Sequence, residues 1–246
     1  MTDDLYQTYR KVFASAADES VTCWYLGTLN AAVDGFPEIP VLRVATIMVY
    51  RAETVSPTLC KIHWNEIGEF IDHTTGEPTQ SWLNPITGET LKTFPSFKEG
   101  PACYHVAAAN GGLTIGLDQP GAKIDSVTVE RKIVGDRVWI NQVERKTRSL
   151  HGPGKQVAHT ATTVLSFFSA LKDVADPALS WAPATGSYSF TMNGLMPWMG
   201  MGERAGKMIV RGVVHKARTD EPTNPSAWQR LAKLYPTFFS DLGLNR

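Results

Sequence analysis

Two arms of alternating residues, Ser126 to Ile133 and Arg137 to Glu144, meet at the turn-forming pair Gly135-Asp136. Period-two alternation marks a strand whose two faces see different surroundings, and a Gly-Asp pair between two such arms sets up an antiparallel hairpin. The rest of the chain must then supply strands that can join it, and several segments qualify. Val41 to Tyr50 is a long, apolar, β-branched run, which suits a central strand. Val21 to Val33, opening with Cys23-Trp24-Tyr25, reads as a strand, as do Cys103 to Ala109, Tyr188 to Met192 and Lys207 to His215. In Leu59 to Ile71, Lys61, His63 and Asn65 alternate with Ile62, Trp64 and Glu66, so one set faces inward and the other outward.

Helical spacing is confined mostly to the two ends. From Asp3 to Ala17, Leu5, Tyr9, Val12, Phe13 and Ala16 recur at helical intervals, and Asp3 or Asp4 can cap the first turn. Ser226 to Asp241 places Trp228, Leu231, Leu234 and Phe238 on one face, and Pro236 must bend or end that helix. Val157 to Val174 fits either a helix or a strand followed by a turn. The βαβ rhythm is missing, no GxGxxG follows a strand, and Asn110-Gly111-Gly112 has no lysine in P-loop register. The expectation is an α+β, mainly β, single domain over residues 1–246: a curved antiparallel sheet or β-barrel with N- and C-terminal helices.

Charge narrows the function classes. The 24 basic and 24 acidic residues cancel, which argues against nucleic acid as a partner. The densest charged run, Glu144-Arg145-Lys146-Thr147-Arg148, reads as a solvated strand end. Cys23, Cys60 and Cys103 form no CxxC or Cys-His cluster, and His151 and His159 flank a Gly-Pro-Gly-containing segment without a ligand signature, so neither metal nor cofactor is expected. Reduced thiols, the lack of a basic and apolar leader after Met1, and the absence of a membrane-length apolar run lead to the expectation of a cytoplasmic protein that engages no membrane. Self-association is left open. No GxSxG elbow, HExxH or two-His-one-carboxylate spacing is present, which disfavours acyl-enzyme chemistry and metal-assisted hydrolysis or oxygenation.

Two further segments stand out. Asp72-His73-Thr74-Thr75-Gly76-Glu77 is answered by Asn84-Pro85-Ile86-Thr87-Gly88-Glu89, and the two turns bracket Trp82. Pro197-Trp198-Met199-Gly200-Met201-Gly202 crowds polarizable side chains into one loop, fitting either a ligand surface or a plug at a barrel end. With Cys23-Trp24-Tyr25-Leu26-Gly27, these segments make nearly the whole chain resemble a bacterial domain of unknown function, DUF1838. That family supplies no established catalytic residues. A weaker resemblance is to lyases and isomerases of aromatic compounds, in particular the phenylcoumaran-type γ-formaldehyde lyases. It implies a carbon–carbon lyase that releases side-chain formaldehyde from lignin-derived diaryl molecules.

Candidate site residues rest on local chemistry. His105 or His63 is the expected base, because imidazole titrates near neutrality, and Tyr104 the expected proton donor. On one regular strand Tyr104 and His105 point to opposite faces, so only one of them can line a given pocket. Arg51 and Arg204 can neutralise an anionic substrate, and Asn141 can orient it. Trp139, Trp198 and Met199 can wall it, with Asn84 beside the second turn. The leading reading is a cofactor-independent lyase or isomerase acting on a small aromatic substrate. The alternative is a non-catalytic β-barrel that binds an apolar aromatic ligand.

Overall fold

The computed structural model describes residues 4–152, 155–217 and 225–241. The chain opens with α1 (Leu5–Phe13), where the Asp4 carboxylate accepts hydrogen bonds from the Tyr6 and Gln7 amides. That cap satisfies two of the amides that a helix start leaves unpaired. Strands β1 (Ser20–Val33), β2 (Ile39–Ser56) and β3 (Leu59–Ile71) follow, then the short hairpin β4 (Ser81–Leu83) and β5 (Thr90–Lys92). Next come β6 (Ser96–Ala109), β7 (Gly112–Asp118), β8 (Ala122–Val134), β9 (Arg137–Gly152) and β10 (Lys155–Ala170). The segment open to either reading is thus a strand, and it runs directly into the short helix α2 (Leu171–Ala175). Strands β11 (Ala184–Asn193) and β12 (Gly206–Ala217) precede α3 (Pro225–Leu234) and α4 (Pro236–Asp241), and Pro236 marks the break between the last two.

Among the described residues ten strands form one antiparallel sheet in the order β7-β6-β3-β2-β1-β12-β11-β10-β9-β8. Its two end strands, β7 and β8, are consecutive in the chain and lie side by side, so the sheet curls into a nearly closed barrel. Inward residues alternate around it. Tyr25 on β1, Met48 and Tyr50 on β2, Ile62 and Trp64 on β3, and Val138 and Ile140 on β9 are all buried.

Helices cover the barrel at two places. Helix α1 plugs one end: Tyr9 stacks on Phe13, and Phe13 packs edge-on against Tyr50 and Phe167. Its C-terminal carbonyls, Lys11 and Val12, accept from the Lys216 ammonium at 2.6 and 3.2 Å. Helices α3 and α4 lie on the outside, where Leu231, Phe238 and Phe239 cover Trp24, Ile47, Val49 and Ile67. The Arg230 guanidinium grips the buried Glu69 carboxylate at 2.6 Å. With the barrel interior on one face and these helices on the other, β2 is buried on both sides, which explains its uninterrupted apolar run.

The curl demands close strand approach. A Cβ on Gly186 of β11 would sit 1.7 Å from the Ser166 carbonyl oxygen on β10. Gly186→Ala is expected to cost about 1–3 kcal/mol by forcing the two strands apart, a loss that urea denaturation measures directly.

Candidate active site

The inward side chains do not fill the barrel. They leave a cavity of about 320 Å³, at the lower end of the range for small-molecule sites. Phe13 of α1 forms one end, against Tyr50. Trp198, on the short 3-10 turn Pro197–Met199, forms the other by packing 5.6 Å from Phe70. Between them stand aromatic pairs: Tyr25 edge-on to Tyr188 at 4.8 Å, Trp64 stacked on Tyr104 at 6.5 Å, and Phe70 against Phe97 at 5.4 Å. Such walls suit a flat apolar ligand.

A charged cluster interrupts the apolar lining. On β3, Glu66 is in phase with Ile62 and Trp64, so it points inward. Its cross-strand neighbour on β6 is Glu99. A register shift between Trp64 and Glu66 gives β6 one extra residue at Gly100-Pro101, so Glu99 and Phe97 face the same side as Ala102 and Tyr104. Two carboxyl groups therefore meet at the cavity. Arg148 on β9 holds Glu99 bidentately at 3.0 and 3.1 Å. One turn of the alternation away, Lys146 approaches Glu144 at 3.2 Å, with both side chains almost fully buried. Gln142 continues the same face and accepts from the Tyr9 hydroxyl at 2.7 Å.

This setting changes the acidities. Burial, then the Glu99 charge opposite, raise Glu66 to about 8, against the weaker pull of the Thr46 hydroxyl and the Lys146 and Arg148 cations. With Glu66 protonated, the carboxylates of Glu99 and Glu144 balance the cations of Lys146 and Arg148. Burial first, then neighbouring acidic groups, push the Tyr50, Tyr104 and Tyr188 hydroxyls far above the ordinary phenol value, so they keep their protons. Stability should record the Glu66 shift. The folded carboxyl keeps its proton up to about pH 8, whereas the unfolded chain releases it near 4.5. The resulting stability is complete below the unfolded value and is lost as pH rises through that interval. Glu66→Gln should flatten this slope, and urea midpoints measured across the interval check it.

The expected site residues separate into those inside the cavity and those outside. Tyr104 and Trp198 line it. The alternation that turns Tyr104 inward turns His105 outward, and His63 shares the outer face with Lys61 and Cys103. Both histidines line an open outer groove with Asp118 and Gln119, and His63 bonds Glu53 at 2.9 Å. Neither reaches the cavity. Trp139 and Asn141 also lie on the outer face: Trp139 stacks on Phe168 beneath Lys132, and Asn141 accepts from Ser166. Arg51 is exposed beside His63 in the register, and exposed Arg204 donates to the Met201 carbonyl.

Asn84 and Met199 are scaffold. Asn84 is fully buried; its amide group donates to the Met199 and Gly200 carbonyls, and its oxygen accepts from the Ile86 and Thr87 amides. The second Thr-Gly-Glu turn thereby anchors the loop that carries Trp198. Met199 and Met201 fill the core, so that loop is both a plug and, through Met196 and Trp198, a cavity wall. Sequence reasoning passed over Glu66, Glu99, Glu144, Lys146 and Arg148. The available signal was phase: Glu66 with Trp64, and Glu144 and Lys146 with Val138 and Ile140. The side chain of His151 lies outside the described residues, and that of His159 bonds the Asn193 carbonyl.

Among the described residues no cluster of three His, Cys, Asp or Glu side chains is arranged to hold a metal ion, and no helix is long and apolar enough to cross a membrane. Compared with known protein families and with curated proteins, the chain matches none.

Proposed function

We propose that the cavity is the active site of a cofactor-independent lyase that uses acid–base chemistry on a small aromatic molecule, releasing formaldehyde from a lignin-derived diaryl compound. The observation that carries this reading is Glu66: a carboxyl group poised at about 8, buried among aromatic walls and facing a second carboxylate. Pairs of titratable groups driven apart by their surroundings are how a protein runs proton transfer near neutrality.

The chemistry balances without an external oxidant or reductant. Ionised Glu66 takes the proton of a primary hydroxyl, and the oxygen's electron pair forms the carbonyl of formaldehyde. The quinone methide forms first, as the phenol gives up its proton and the Cα–O bond of the diaryl ether breaks toward its oxygen, which takes up a proton. The Cβ–Cγ bond then breaks, and its electrons become a Cα=Cβ double bond by adding to that quinone methide. The pair displaced from the quinone methide comes to rest on its oxygen as a phenolate. Tyr104 or Tyr188 donates a hydrogen bond to that oxygen, Arg148 supplies positive charge nearby, and the proton held by Glu66 restores the phenol.

A half-open cavity with aromatic walls also suits a carrier, so the second reading is a binding protein for the same ligand class. Incubating the protein with phenolic diaryl dimers that bear a primary hydroxyl, and assaying formaldehyde, separates the two. The lyase reading predicts stoichiometric release with repeated turnover. Quenching of the cavity tryptophans with no formaldehyde from any dimer leaves only the carrier.

A further inference from the structure

Several buried polar atoms without a partner line this cavity, and others lie elsewhere in the protein. Tyr25 Oη, Trp64 Nε1, Thr163 Oγ1 and both carboxylate oxygens of Glu144 are fully enclosed, accept or donate no hydrogen bond, and belong to cavity-lining residues. Nearly all buried polar groups in folded proteins are hydrogen-bonded, and an unsatisfied carboxylate is the costliest exception. Glu144 on β9 lies opposite Thr163 on β10, so two of these groups share one register position.

Glu144 is the most demanding of them. It is 1% exposed, and Lys146 sits 3.2 Å from one oxygen without the alignment of a hydrogen bond. Its charge is thus balanced, while the Tyr104 hydroxyl that leans on it falls short of a well-formed hydrogen bond, so its need for donors is not met. A carboxylate only accepts, so the missing partner must bring an O–H or N–H. A cation is disfavoured because Lys146 and Arg148 already face Glu144 and Glu99. An anion is disfavoured by Glu144 itself.

We infer that the cavity selects a neutral hydroxylated aromatic molecule, with a free hydroxyl donating to the Glu144 carboxylate beside Thr163. Methylating that hydroxyl removes the donor and leaves Glu144 unsatisfied, which is where discrimination arises. This inference rests on the reading of the cavity as an aromatic-ligand site, and it adds a requirement that reading does not contain.

The test is binding of para-phenylphenol against its methyl ether, followed by quenching of Trp64 and Trp198. Wild type should bind the phenol about tenfold or more tightly than the ether, the worth of one hydrogen bond to a charged acceptor. Glu144→Gln should erase that preference while leaving ether affinity within about twofold, and Glu66→Gln should keep it. Circular dichroism establishes that each variant is folded. Should Glu144→Gln fail to fold, the wild-type preference and its reduction in Thr163→Val decide the matter. Equal binding of both probes by wild type overturns the inference while leaving the aromatic-ligand reading standing. Loss of the preference in Glu66→Gln and its survival in Glu144→Gln also overturns it. Binding of neither probe removes the underlying reading and the inference together.

Discussion

Glu66→Gln is expected to slow formaldehyde release by about 10²–10⁴-fold while leaving ligand affinity within a few-fold, the usual worth of a positioned general base. Glutamine keeps the shape of the side chain and fills the same part of the cavity, so walls and ligand contacts survive. What it cannot do is accept a proton. The pH profile carries a second signature. Because Glu66 must ionise before it can act, the wild-type rate should rise with pH and level off above about 8, and the residual rate of the variant should lack that rise. An acid–base group elsewhere, such as His105 in the outer groove, would leave the variant nearly as active as wild type.

Lys146→Met is expected to destabilise the protein by about 3–5 kcal/mol at neutral pH, because it strands a buried carboxylate without its counter-charge. Glu144 is 1% exposed and Lys146 8% exposed, so water screens the pair little. The unpaired Glu144 would be driven toward its protonated form. Its folded-state acidity is then weaker than in the unfolded chain, and the deficit should shrink as pH falls. Replacing both partners with apolar residues, Glu144→Leu with Lys146→Met, should recover most of the loss, since such replacements of buried ion pairs are often neutral. Urea denaturation of the single and double variants measures both effects. A single-variant cost under about 1 kcal/mol would mean the pair is screened as a surface bridge is.

How far the sequence revealed this site depended on phase more than on residue type. Asp4, Pro236 and the β2 run announced a cap, a break and a doubly buried strand, because each acts through local backbone or burial rules. Trp198 was legible from its crowded loop, and Tyr104 from its apolar strand. The charged run from Glu144 to Arg148 misled because charge usually means solvent. Inside a barrel with a cavity, alternate members of such a run face inward, and Glu144 and Lys146 continue the buried face of Val138 and Ile140. The histidines drew notice for their chemistry, yet the phase of Ile62 and Trp64 already set His63 on the opposite face. The inward turn of Glu99 was not legible, since it depends on one extra residue in the pairing of β6 with β3.

The most direct test of this account is a crystal structure with a phenolic diaryl ligand bound. The prediction is a ligand ring among Tyr104, Trp64 and Tyr188, with a ligand hydroxyl within hydrogen-bonding reach of the Glu66 carboxyl. A ligand seated instead in the outer groove beside His63 and His105, with the barrel cavity unoccupied, would contradict it.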